Sequence, residues 1–443
     1  MFTNASLKKL LFPLIVEQFL ALGVGLADIM MVASAGEEAV SGVSLVDTLV
    51  ILIMGVFTAM ATGGAVVASQ YLGFGDRKKA RVGANQLVLV CFAFSIFFAL
   101  VSFGLNGPIL RLIYGDLHPT VAANARIYFY IIAASFPFLG GYNAGAAIFR
   151  AQGNSKITMV ISFIMNLINI AGNYTLIFII PMGVAGAAVS SLVSRAIACV
   201  VTLWLARNPA LKISIHRKFK LGFDWSMIRK ILYIGVPTGL ENSIFQLGKV
   251  IVARLITSFG VSAIAANGIS SPISAVEVIP GMAIGVGLIT VVGQCIGAKK
   301  YNEARFFTFK LMKICIVVET CLNLLLILFM KRILALCNLT DETLRTAYIL
   351  TTMHSVFSMF LWPLSFCLPN ALRASNDATF TMKISILSMF LFRVAGSFVL
   401  GRYFGLGVVG VWISMMIDWA FRSSFFIHRF FKRKLVPRVS LVE

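Results

Sequence analysis

Twelve long apolar runs divide the 443-residue chain, each close to the length of a bilayer crossing. A spanning helix needs roughly 20 mostly apolar residues. The runs fall at approximately 9–34, 44–72, 84–106, 124–148, 157–180, 184–206, 229–257, 264–296, 308–330, 344–371, 380–400 and 407–430. They are continuous rather than alternating, which argues against a closed membrane barrel. The chain is 59% hydrophobic and only 12% charged, whereas a soluble domain carries about 25% charged residues. A polar shell cannot be built from this composition, so the sequence predicts an all-α polytopic membrane protein. The first run follows Lys8 and Lys9 and ends near Ala33-Ser34-Ala35, which mimics a signal peptide. It is longer than the roughly 7–15 residues of a signal core, and it carries Glu17 and Asp28, so it reads as the first span.

The net charge of +21 raises nucleic acid as a partner, but topology accounts for it better. With the N-terminus in the cytoplasm, 26 Lys and Arg fall in cytoplasmic segments and 6 in outside loops. That bias predicts both termini inside. The expected location is the plasma membrane of a bacterium or archaeon. The seven cysteines are scattered without a C-x-x-C, so neither a disulfide framework nor a zinc site is expected.

The chain also repeats itself. At a lag of 224 residues Pro13 falls on Pro237, Glu17 on Glu241, Gln70 on Gln294, Gly73 on Gly297, Gly183 on Gly407 and Gly186 on Gly410. At a lag of 223, Arg150-Ala151 falls on Arg373-Ala374. Each repeat holds six spans, so both halves have the same orientation. The expected organisation is an N-terminal lobe, 1–215, and a C-terminal lobe, 216–443, related by a parallel pseudo-two-fold repeat. Two such lobes around a cleft suit an alternating-access transporter.

Several segments resemble the multidrug and toxic compound extrusion (MATE) family. They are Pro13-x-x-x-Glu17, Leu26-Ala27-Asp28-Ile29-Met30-Met31-Val32, Ser69-Gln70-Tyr71-Leu72-Gly73, Phe149-Arg150-Ala151-Gln152-Gly153-Asn154 and Gly183-Val184-Ala185-Gly186-Ala187-Ala188. Gly235-Val236-Pro237 and Val292-Gly293-Gln294-Cys295-Ile296-Gly297-Ala298 fit in the second half. The resemblance implies a secondary antiporter that exports amphipathic, often cationic drugs or metabolites in exchange for Na⁺ or H⁺.

Seven acids lie within the runs: Glu17, Asp28, Asp47, Glu241, Glu277, Glu319 and Asp418. A charge at the bilayer centre costs about 2.5–3.5 kcal/mol on insertion scales, so such groups pair, coordinate ions or exchange protons. Glu17 and Asp28 are eleven residues apart and share a helix face. Asn169 and Asn173 are i, i+4 and share another. Asp28, Asn173 and Ser191 each lie six or seven residues from the outer ends of their runs, a common depth of roughly 10 Å. The resemblance implies a cation-coupling site in the N-terminal lobe, which carries over to Asp28, Asn169, Asn173 and Ser191. Many family members have an Asp where this chain has an Asn on the fifth span. One carboxylate with neutral oxygens could hold Na⁺, or the carboxylate could carry a proton alone. The acids that some members carry on the seventh and tenth spans are absent; Phe245 and Trp362 stand there.

Glu17, Glu241 and Glu277 are the further candidates for a cleft, proton or substrate role. For Glu17 and Glu241 a paired role at the lobe interface is an equal alternative, with Lys249, eight residues after Glu241, as a partner. Glu277 precedes Pro280 and is a candidate for lining the cleft. Asp47, near an outer end, is expected to be solvated. Arg195 and Arg393 are the candidate basic partners of the remaining acids. His354, well inside a run, has no metal-ligand spacing and is assigned no role. Most of the 37 Phe and 18 Met read as packing, with a few suited to cationic amphiphiles.

Beyond a coupling ion, no cofactor is expected, and no metal beyond Na⁺ at Asp28. The expected partners are a small-molecule substrate and the lipid bilayer, with no nucleic acid, and the chain as a monomer. A flippase for a lipid-linked glycan precursor is the alternative; the acidic majority among the buried groups favours a cation. No catalytic constellation supports an enzyme.

Overall fold

In a computed structural model the chain is described over residues 1–34, 36–115, 117–215, 222–337, 340–437 and 440–441. Among these residues there are helices and no strand. Spans 1 to 6 are Asn4–Ala33, Glu37–Phe74, Arg77–Gly104, Pro119–Ala151, Ser155–Ile179 and Val184–Ala206. A short helix, Asn106–Tyr114, joins spans 3 and 4. Spans 7 to 12 are Trp225–Thr257, Val261–Glu277 with Ile279–Gly297, Tyr301–Ala335, Asp341–Ser358 with Pro363–Ala374, Ala378–Tyr403 and Gly407–Arg433. Nine described helices are long and apolar enough to cross a membrane alone, and a tenth crossing is the bent pair of span 10. Spans 7 and 12 fall short in apolarity, not length. Span 7 carries Glu241, Asn242 and Gln246 in its middle, and span 12 carries Asp418 and Arg422.

The helices outrun the apolar runs because a backbone can stay helical into the headgroup region once its end is capped. Span 3 begins at Arg77 because the Asp76 carboxylate accepts the Lys79 N–H at 2.9 Å. Two spans are interrupted. Span 8 breaks at Val278, one residue before a segment opened by Ile279 and Pro280, and Pro280 has no N–H to donate back. Span 10 bends by 61° ahead of Pro363. A further irregularity obeys the repeat. The outer end of span 5 is π-helical over Tyr174–Ile179, and that of span 11 over Phe398–Tyr403. The Ile180 N–H donates to Thr175 O at 2.8 Å, and the Phe404 N–H to Val399 O at 2.9 Å.

The chain divides into two compact units, Phe2–Gly239 and Leu240–Glu443, with Met1 grouped in the second. Sequence reasoning put the boundary at 215/216, beside residues 216–221, which lie outside the described set; the division instead falls within span 7. The reason is a close backbone approach. A Cβ added to Gly63 of span 2 would meet the carbonyl oxygen of Ile231, and the Gly235 nitrogen at 2.9 Å, so the first turns of span 7 seat directly on span 2. Within this unit span 4 is central and packs on spans 2, 3 and 6. Within the second unit span 8 packs on spans 9 and 10.

Candidate functional site

Span 1 has no intrinsic reason to carry an acid at Asp28; the reason lies on its neighbours. Spans 5 and 6 approach closely at Gly172, where a Cβ would collide with the Ser190 side chain. The Ser190 hydroxyl donates to the Asn169 carbonyl at 2.6 Å, which pins the two helices in register. That register turns the Asn169 and Asn173 side chains towards span 1. Asn173 Nδ2 donates to Asp28 Oδ1 at 2.6 Å. The Asn169 amide is best satisfied with its nitrogen donating to Asp28 Oδ1 and Oδ2 at 2.8 and 3.3 Å and its oxygen accepting from Ser191 Oγ at 3.2 Å. The structure thus gathers Asp28, Asn169, Asn173 and Ser191 into one cluster. Asp28 is half-buried and the other three are buried.

A second ring surrounds this cluster. Arg195 of span 6 is in electrostatic reach of both Asp28 and Asp47, and its Nη1 donates to Ser135 Oγ at 2.7 Å. Asp47 is half-buried rather than freely solvated, and Tyr128 donates its hydroxyl to Asp47 Oδ1 at 3.2 Å. Two carboxylates therefore face one guanidinium. The cluster is enclosed by neutral oxygens that can turn toward a small cation and by amide donors that support a bare carboxylate.

Glu17 and Glu241 occupy equivalent places, each paired inside its own unit. Glu17 Oε2 accepts from Thr158 Oγ1 at 2.9 Å, and its Oε1 lies 3.7 Å from Arg150 Nη1. Glu241 Oε2 lies 2.8 Å from Arg373 Nη2 and accepts from Thr381 Oγ1 at 3.4 Å. Its Oε1 accepts from Ser385 Oγ at 2.6 Å and lies 3.6 Å from Arg422 Nη2. The expected partner Lys249 is not among these groups. Eight residues on one helix is a rotation of about 80° and a rise of about 12 Å, which takes the lysine off the glutamate's face. Thr158→Val should lower thermal stability by about 1.5–3 kcal/mol, because a buried carboxylate loses its hydroxyl donor. A melting point in detergent equal to that of the parent protein would refute this role.

Glu277 does not line an open surface. It is fully buried in the second unit at the break in span 8, against His354 Nδ1 and with Ser355 Oγ donating to its Oε1 at 2.7 Å. His354, given no role from sequence, is thus its partner. The only signal was a lone histidine in an apolar run. Asp418 accepts from the Ser388 hydroxyl and lies 3.8 Å from Arg393 Nη1. Glu319 is fully buried beside the Gly281 backbone and makes no ion pair among the described residues. No group of three metal-ligating side chains occurs among the described residues.

Known proteins bear on these observations. The chain is 27% identical to the uncharacterized transporter YisQ of Bacillus subtilis, over 93% of this chain and 91% of that protein. It is 25% identical to a probable multidrug resistance protein NorM of Thermotoga maritima, over 98% and 94%. A solved structure of a multidrug resistance MATE family transporter in an outward-facing conformation superposes with a TM-score of 0.90, over 97% of this chain and 95% of that one, at 17% identity. The MatE family model matches twice, at residues 13–175 and 237–399, an offset equal to the 224-residue repeat. Two matches that together cover most of the chain, on a twelve-span fold with that repeat, place this protein in the MatE family of multidrug and toxic compound extrusion transporters.

Proposed function

We propose that the chain is a secondary antiporter that exports amphipathic, cationic drugs or metabolites in exchange for Na⁺ or H⁺. Asp28 is the coupling carboxylate; Asn169, Asn173 and Ser191 complete its site. The observation that carries this reading is the convergence of one ionisable group and three neutral polar side chains from spans 1, 5 and 6 at a single depth. A carboxylate placed there at the cost of burial is useful if it changes occupant during a cycle. Na⁺ and H⁺ compete for the same oxygens, so binding either one excludes the other. Cargo would then be exchanged for the ion by alternating access. The same reading puts the protein in the cytoplasmic membrane as a monomer with both termini in the cytoplasm.

The test is export of a fluorescent cation from proteoliposomes under separately imposed Na⁺ and H⁺ gradients. One gradient should accelerate wild-type export, and Asp28→Asn should lose that acceleration, because an amide neither ionises nor takes up a proton. Wild-type export indifferent to both gradients would sink the coupling claim. Full gradient drive in Asp28→Asn would sink the assignment to this residue.

A further inference from the structure

Basic side chains of the second unit outnumber the acids beside them, and three of them gather on one aromatic ring. Lys249 Nζ sits 5.1 Å from the Phe245 ring centroid, Arg393 Cζ 5.5 Å and Arg422 Cζ 5.6 Å. Arg373 joins them through Glu241. Against these four cations stand two carboxylates, Glu241 and Asp418, and both are already engaged. Lys249 makes no ion pair among the described residues, and the charged group that acts on it is another cation, Arg393. Arg422 is 2% exposed, yet among the described residues its Nε and Nη1 have no acceptor. The deeper acids do not redress the balance. Glu277 is taken up by His354 and Ser355, and Glu319 pairs with none of the four.

The depth of these groups makes the surplus costly. Lys249 lies eight residues from the outer end of span 7 and Arg393 ten from that of span 11, or about 12 and 15 Å into the membrane. A cation there that is not neutralised costs about 2.5–3.5 kcal/mol on insertion scales. An anion bound beside them would offset that cost. The Lys249 ammonium is exposed, so it is accessible to one. Beside it is an apolar wall. Phe245 meets Phe366 edge to face at 5.8 Å, and Phe366 stacks on Trp362 at 5.0 Å.

We propose that Lys249 and Arg393, over the Phe245–Phe366–Trp362 wall, form a binding site for the acidic group of an amphipathic organic anion or zwitterion, a carboxylate or sulfonate on an aromatic body. The cargo of this exporter then extends beyond simple cations. The inference builds on the exporter reading but not on its coupling ion.

The test is equilibrium dialysis of the purified full-length protein in detergent with two probes of one body, 1-naphthalenesulfonate and 1-naphthyltrimethylammonium, and no gradient. The sulfonate should bind more tightly to the wild type, and Lys249→Gln should weaken it about tenfold, the loss of one charge-assisted contact. Lys249→Arg should keep the preference and Lys249→Glu should invert it. Binding is read with no ion gradient imposed, which separates this site from the coupling site. Wild-type protein binding the ammonium as tightly as the sulfonate, or an unchanged preference in Lys249→Glu, would overturn the proposal. Coincident melting curves check that the variants fold.

Discussion

Arg373→Met is expected to leave little folded protein. Arg373 is buried and holds Glu241 at 2.8 Å. Methionine replaces the stem but not the charge. Glu241 would keep the Ser385 and Thr381 hydroxyls and an arginine 3.6 Å away, too little for a carboxylate that is 4% exposed. Removing one member of a buried pair costs about 3–5 kcal/mol, because the survivor stays charged and dry. The readout is the yield and melting temperature of detergent-purified protein. The double variant Glu241→Gln with Arg373→Met should recover part of the loss, and the coupling between the two substitutions measures the pair. Arg150→Met, at the equivalent place in the first unit, should cost less: that arginine is half-buried and 3.7 Å from Glu17. A single Arg373→Met variant that melts with the parent protein would refute the assignment.

Gly410→Val should be comparably damaging for a different reason. A Cβ at Gly410 would lie 2.7 Å from the Leu400 carbonyl carbon and oxygen and 2.9 Å from the Gly401 nitrogen. These are backbone atoms and cannot rotate away. Spans 11 and 12 would have to separate, and the insertion of extra carbons into a packed interface costs about 1–3 kcal/mol or more when the backbone must move. The repeat supplies an internal replicate. A Cβ at Gly186 would lie 2.5 Å from Leu176 O, so Gly186→Val should fail in the same manner. Gly25→Ala is the control: nothing lies within 4 Å of its Cβ and the helix tolerates alanine, so stability should hold or rise slightly. Equal melting temperatures for Gly410→Val and Gly25→Ala would show that the close approach carries no energy.

What the sequence made legible was whatever repeats or periodicity could reveal. Gly183 and Gly186 recur as Gly407 and Gly410, and the structure supplies the reason. Gly183 and Gly407 take φ of +56° and +57° at the starts of spans 6 and 12, and Gly186 and Gly410 sit against the π-helical ends of the preceding spans. The depth match of Asp28, Asn173 and Ser191 was legible because helical rise converts residue number into depth. Partners across the fold were not. Glu241 finds Arg373 and Arg422 rather than Lys249, because side chains far apart in sequence meet only through helix packing. Arg150 and Arg373 were counted among the cytoplasmic charges, yet both turn inward to acids. Residues 217, 218, 220 and 438 of that count lie outside the described residues.

The division inside span 7 bears on how the protein is made. The backbone seat for Gly63 is supplied by Ile231 and Gly235, residues that leave the ribosome well after the sixth span. Six inserted helices are therefore an unfinished product. Span 2 waits in the lipid with a bare glycine groove until the seventh helix is handed over. A chain cut in the 207–224 segment would release a fragment with its groove uncovered, while a cut placed after Gly239 would not.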